Sequence, residues 1–202
     1  MRKITINLAA VAAFCIVVAS PALVSSSCAT PKTEQEDTTI IREDSGITAL
    51  KYSSPEVPAS IEFCGKTIDL SRFDRHERMD RELLAFTYMH STSLQMLKKA
   101  NRYFPIVEPI LKENGIPDDF KYLMVIESNM NPTARSSAGA AGLWQFMQGT
   151  GRDYGLEVNN NVDERYHIEK ATRAACRYLK DAYAKYKDWV AVSACYNSGQ
   201  AR

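Results

Sequence analysis

Apolar positions along most of the chain return at helical rather than strand intervals. From Arg75 to Arg102 there is neither glycine nor proline, and Leu83, Leu84, Tyr88, Leu94, Met96 and Leu97 recur at roughly helical spacing, which predicts one or two helices. Pro105 and Pro109 flank the predicted opening of another, closed by Asn114-Gly115 as a C-cap. Ile116-Pro117-Asp118-Asp119 then reads as a helix start, because proline tolerates the first helical position and carboxylates suit the first turn. That helix is expected to end before Pro132. Within it Phe120, Leu123, Met124 and Glu127 fall at i, i+3, i+4 and i+7, so the glutamate shares the apolar stripe and points toward the core side. Ile168, Ala171, Ala175, Tyr178, Leu179, Ala182 and Tyr186 mark the buried face of a long helix, and Trp189 to Tyr196 begins the next. Only Ile61 to Leu70 alternates with a period of two, around Cys64-Gly65-Lys66, as a short hairpin or extended lead-in does. The pattern predicts an all-α domain whose connections are short, except for the glycine- and serine-rich loop from Asn131 to Gly142.

The chain's start has another pattern. Arg2 and Lys3 precede an apolar or small run from Leu8 to Ala19, the form of a secretory signal peptide, expected over residues 1–27. The run is short for a bilayer span, which needs about 20 residues. Cleavage after Ala22 and lipidation at Cys28 are both open, although Ser25-Ser26-Ser27-Cys28 is a poor lipobox. Residues 28–60, with TPKTEQEDTT, read as a flexible polar linker. An outer-membrane lipid anchor through Cys28 is one expectation, and a domain free in the periplasm is the other. Residues 61–202, about 140 in all, suffice for one domain with its own core.

Composition then narrows the chemistry. A net charge of +1, without a basic stripe interleaved with aromatics, argues against nucleic acid as the main partner. Cys64, Cys176 and Cys195 lie in the mature domain, where buried free thiols are expected and a Cys176–Cys195 bridge is the alternative. His76, His90 and His167 are scattered without partners at ligand intervals, so no metal and no cofactor are expected.

One carboxylate stands out. At Glu127, loss of water and the negative end of its own helix both oppose ionisation, so its pKa is expected to be raised. A glutamate protonated near neutral pH can donate its proton to a leaving oxygen, as glycosidic cleavage needs. The plain alternative is a solvated glutamate at a helix end. Asp118 and Asp119 read as helix-start residues, while Asp153 and Asp163, in loops, stay open as a second carboxylate.

The residues C-terminal to Glu127 decide between the acid and the solvated side chain. Glu127-Ser128, Asn131-Pro132, Ser136 and Gly139-Ala140-Ala141-Gly142-Leu143-Trp144-Gln145 stand in the order and spacing of a family pattern, and Cys195-Tyr196-Asn197-Ser198-Gly199 forms a second motif with cysteine in an alanine place. From about Phe63 to Arg202 the chain resembles the lytic transglycosylases with the soluble-lytic-transglycosylase, goose-lysozyme-like catalytic domain. Trp144, Thr150-Gly151-Arg152 and Tyr154-Gly155-Leu156 are similar to the membrane-bound type D subgroup in particular. Gln148 departs from the proline usual after Met147, a change expected to affect a helix or loop boundary more than the chemistry.

The resemblance implies a lysozyme-like helical domain acting on peptidoglycan glycan strands. Glu127 would give its proton to the glycosidic oxygen and then take one from the C6 hydroxyl of the same muramic sugar, forming a 1,6-anhydro ring without water. That accounts for a single catalytic carboxylate where most glycosidases use two. Ser136, Gln145 and Met147 match positions lining the sugar groove. Tyr196 and Asn197 match the pair beside the glutamate, the tyrosine hydroxyl holding the carboxyl and the asparagine fixing backbone or substrate. Since the chain stops at Arg202, soon after that motif, the resemblance also implies a catalytic domain incomplete at its C-terminus. A hydrolytic muramidase and a non-catalytic peptidoglycan-binding module remain as alternatives.

Overall fold

The computed structural model describes residues 54–198, with side chains up to Tyr196. The expected leader, Cys28 and most of the expected linker lie outside the described residues. Cys64 and Gly65 both take left-handed backbone, with φ of 50° and 74°, the geometry of a two-residue hairpin turn. The turn folds β1 (Ser60–Phe63) back on β2 (Lys66–Asp69), pairing Ile61 with Ile68 and Phe63 with Lys66. The period-two stretch is therefore a hairpin. Its inward residues Ile61, Phe63 and Leu70 are buried, and Val57 packs on the same core. With the Leu70 amide also bonded to the Ala59 carbonyl, the packed chain begins inside the segment expected to be linker.

Helix α1 (Phe73–Tyr88) and helix α2 (His90–Glu113) meet at Met89, so the glycine-free stretch holds two helices. Pro105 and Pro109, expected to open a separate helix, lie inside α2. Each proline removes a backbone donor and normally breaks a helix. Here both are exposed, as is Asn101 one turn earlier, so carbonyls they leave unbonded are within reach of water. On the opposite face Met96, Ala100, Tyr103, Phe104, Val107, Ile110 and Leu111 form one continuous buried stripe. Tertiary burial, at about 1.5–3 kcal/mol per large apolar side chain, outweighs the local cost. The helix closes as expected at Asn114-Gly115. Gly115 has φ 66°, its amide bonds the Lys112 carbonyl and the amide of buried Ile116 bonds the Leu111 carbonyl, which is a Schellman closure.

The next element differs from its expected form. Pro117 sits just outside it in extended backbone, Asp118–Tyr122 wind as a 3-10 turn, and only Leu123–Ser128 (α3) are α-helical. Asp119 accepts the Cys64 amide at 2.7 Å, drawing this end of the segment to the hairpin. Phe120, Leu123 and Met124 are fully buried on the predicted stripe.

After a long loop come α4 (Gln148–Asp153), a second 3-10 turn (Glu164–Tyr166), α5 (Ile168–Tyr186) and α6 (Trp189–Ser198). Helix α5 presents Ala171, Ala174, Ala175 and Ala182 to the core. Such small side chains allow α2 to lie close against it, and the Cys176 thiol falls 3.9 Å from the Ile110 carbonyl. At the start of α6, Trp189 stacks on Tyr183 at 4.1 Å and meets the edge of Phe120 at 5.4 Å. Cys64, Cys176 and Cys195 are all free.

Polar ties between the hairpin and the rest of the domain include the Asp119–Cys64 bond and the Lys66–Asp188 ion pair at 2.8 Å, beside a bond from Arg75 Nη1 to the Asp69 carbonyl at 3.0 Å. The first involves a partly buried amide and the second is solvent-accessible. Asp119→Ala should therefore cost about 1–2 kcal/mol in urea unfolding and Lys66→Ala less than about 1 kcal/mol.

Candidate active site

Helix α3 carries Glu127 and ends immediately after it. Asn129 and Met130 both turn left-handed, with φ of 49° and 51°, an uncommon conformation for side-chain-bearing residues. The cost is offset by full burial of Met130 and by bonds from its amide to the Met124 carbonyl and from the Asn129 amide to the Val125 carbonyl. The chain thus leaves the helix sharply and enters the loop with Glu127 fixed at its edge.

Glu127 itself is partly exposed, but its Oε1 is wholly buried and has no hydrogen-bond partner among the described residues. Burial raises the carboxyl from its ordinary 4.5 to about 7. The shift has the expected direction, and desolvation accounts for it. With α3 only six residues long, the helix dipole has little length from which to build.

The loop from Asn131 to Met147 folds back on itself through bridges pairing Arg135 with Ala141 and Ala141 with Phe146. Its interior side is held by donors from other elements. The Ser128 hydroxyl lies between the carbonyls of Met124 at 2.9 Å and Leu143 at 3.0 Å. Trp144 is fully buried and its indole N–H donates to Thr172 Oγ1 on α5 at 3.0 Å. The Tyr196 hydroxyl donates to the Trp144 carbonyl at 2.8 Å. That bond departs from the expectation that this hydroxyl holds the Glu127 carboxyl, since its one proton is used on the loop backbone. The ring is nonetheless close enough to Glu127 for charge to matter. Its phenol is pushed well above the ordinary value, first by burial and then by the glutamate.

The other expected groove residues lie on this loop. Gln145 has φ 48°, and its Nε2 reaches back to the carbonyls of Gly142 at 2.8 Å and Ala134 at 3.3 Å. Its amide oxygen remains as the group available to a ligand. Ser136 is exposed, and its hydroxyl oxygen accepts the Ala140 amide at 3.0 Å, leaving the hydroxyl proton free to donate. Met147 is 46% exposed at the entry to α4. Gln148 is the first residue of that helix, where a proline would also fit, so the departure at this position falls on a helix boundary. Asn197 lies in the last turn of α6, and its expected role falls outside the described side chains.

Asp163 has a different task from the one left open for it. Both its oxygens pair with Arg165, at 2.9 and 2.7 Å, and this pairing holds the carboxyl below its usual range. Asp153 is exposed at the end of α4. Ser128, Thr172 and Arg165 carry the loop, and the linear pattern marked none of them for that role. Ser128 stands in the family motif, but nothing in periodicity marks a serine whose hydroxyl reaches a distant carbonyl.

A helical domain with one desolvated, unpaired carboxyl beside a rigid glycine-rich loop belongs to the lysozyme-like class. Residues 105–202 match the model of the transglycosylase SLT domain. The chain is 32% identical over 127 residues to membrane-bound lytic murein transglycosylase D of Escherichia coli (strain K12), an alignment covering 62% of this chain and 27% of that protein. It is 33% identical over 92 residues to peptidoglycan transglycosylase gp16 of Escherichia phage T7, covering 44% of this chain and 7% of that protein. Membrane-bound lytic murein transglycosylase C of Haemophilus ducreyi is 32% identical over 115 residues, covering 50% and 31%. The chain thus spans well under half the length of these curated relatives.

The loop's tightest point gives a test. A Cβ on Gly142, which has φ 79°, would lie 1.9 Å from the Arg165 carbonyl oxygen, whereas one on Gly149 would meet nothing within 4 Å. Gly142→Ala should destabilise the domain by roughly 3 kcal/mol or more, and Gly149→Ala should stabilise it by up to about 1 kcal/mol. Chemical denaturation of the two variants beside the parent measures both.

Proposed function

We propose that the domain is a peptidoglycan lytic transglycosylase that cleaves the β-1,4 bond between N-acetylmuramic acid and N-acetylglucosamine to leave 1,6-anhydro ends. The observation that carries this reading is Glu127, whose buried Oε1 is unpartnered and whose pKa lies at about 7. At neutral pH such a group is protonated about half the time and can serve as acid and then as base. In the first step its proton passes to the glycosidic oxygen as the C1–O bond breaks. In the second the new carboxylate takes the proton of the C6 hydroxyl while O6 bonds to C1, which restores the acid and consumes no water. The commitment of Asp163 to Arg165 favours this course over one using a second carboxylate to activate water. The N-acetyl group of the substrate would assist at C1. Ser136, Gln145, Met147 and Asn197 would line or fix the glycan, and Tyr196 would hold the loop beside the acid.

Muropeptides released from sacculi should carry 1,6-anhydro ends by mass spectrometry, and reducing ends in their place would point to a hydrolytic muramidase. Glu127→Gln should lose roughly 10²- to 10⁴-fold in rate while still binding glycan. Because the protonated form starts the reaction, activity should fall as pH rises through about 7. Unchanged activity in Glu127→Gln would remove it from the role.

The reading extends to location. Residues 1–27 would be a secretory leader, Cys28 a lipidated N-terminus on the outer membrane, and residues 28–60 a tether holding the catalytic domain in the periplasm. Two of the relatives are described as membrane-bound, and among the described residues no helix is long and apolar enough to cross a membrane. Cys28→Ser should move the protein from the membrane to the soluble fraction, because acyl chains supply about 0.8 kcal/mol per buried CH₂. Equal solubility of parent and variant would leave Cys28 without that role.

A further inference from the structure

We propose that Arg165 is a positioning residue for the glycan groove, a role that rests on the reading of this domain as a glycan-cleaving one. Its side chain is 4% exposed. Nε and Nη2 grip Asp163, and Nη1 donates to two loop carbonyls, Gly139 at 2.8 Å and Phe146 at 3.0 Å. These carbonyls stand on either side of the glycine-rich bend. The Gly139 amide in turn bonds the Ser136 carbonyl at 3.0 Å, so one contact sets the turn bearing the Ser136 hydroxyl. Phe146 lies between Gln145 and Met147, so the other contact sets those two side chains. The Arg165 backbone carbonyl completes the clamp by abutting Gly142.

Desolvating a guanidinium is costly, and an apolar side chain of similar volume often serves stability as well or better. What an apolar residue cannot supply is a planar group that is fixed on Asp163 through Nε and Nη2 and so holds its remaining nitrogen, Nη1, against two backbone oxygens at once. Arg165 therefore acts on the glycan through the loop, without touching the sugar or Glu127.

Arg165→Lys keeps the charge and loses the fork. In a Glu127→Gln background, its affinity for an N-acetylglucosamine–N-acetylmuramic acid tetrasaccharide should fall about 10- to 100-fold by calorimetry, the scale expected of an ångström-size misplacement. The variant should remain folded by circular dichroism. With Glu127 restored, KM should rise and the alkaline limb should stay near the parent's position. Amide exchange at Ala141, Gly142 and Phe146 should accelerate at least about tenfold, reporting the loosened loop independently of any ligand. A folded Arg165→Lys variant with parental affinity and parental exchange overturns the proposal. If Glu127→Gln alone fails to bind the tetrasaccharide, the glycan reading fails, and retained exchange protection in Arg165→Lys still overturns the role for Arg165. Should Arg165→Lys not fold, Asp163→Asn loosens the same fork from its other side, and the same two readouts apply.

Discussion

The geometry of this site depends on finding partners for a run of loop carbonyls. A backbone polar group withdrawn from water without a partner costs about as much as a lost hydrogen bond, and the bend after Gly139 turns several toward the interior. Gly142 receives the Gln145 side chain, Leu143 the Ser128 hydroxyl, Trp144 the Tyr196 hydroxyl and Phe146 the Arg165 guanidinium. Three of those donors come from outside the loop: the acid-bearing helix, the last helix, and the turn before the long helix. Each bond contributes only about 1 kcal/mol net, whereas burying Leu143, Trp144 and Phe146 contributes several times more. Burial thus supplies most of the loop's stability, and the bonds decide where it sits.

Two carboxyls of this domain show how environment sets the state of a carboxyl group. Asp163 has a guanidinium on both oxygens and is held in its charged form. Glu127 has a buried, unpartnered oxygen and keeps its proton to about pH 7. Opposed environments of this kind push the pKa values of two carboxyls apart. The basic group that secures the loop also keeps Asp163 charged and paired.

How much of this was legible in the sequence varied with the kind of force involved. The α5 face, the paired strands and the placing of Glu127 on the stripe of Phe120, Leu123 and Met124 come from periodicity, because burial of a repeating face dominates there. The prolines of α2 misled because a local rule met a stronger tertiary term, and the linear pattern does not say which face carries them. The shortness of α3 was hidden for a similar reason: a 3-10 turn and an α-turn differ little in apolar spacing over five residues. The family motifs singled out Glu127, Tyr196 and the loop without giving their bonds. Nothing in the linear pattern distinguishes a tyrosine that holds a carboxyl from one that holds a backbone oxygen of the loop. Arg165 was the least visible, since its partners at Gly139 and Phe146 are brought to it only by the fold.

The close approach of Gly142 to the Arg165 carbonyl bears on how such a domain can change over evolutionary time. The space a side chain would need at one position is filled by main chain at the other, so no choice of residue at Arg165 makes room. Variation at Gly142 would require the backbone before the long helix to shift in the same step, and that shift would carry away the guanidinium and its carbonyl partners. The two segments constrain each other as a single unit. The outward-facing side chains on either side of them carry no such constraint.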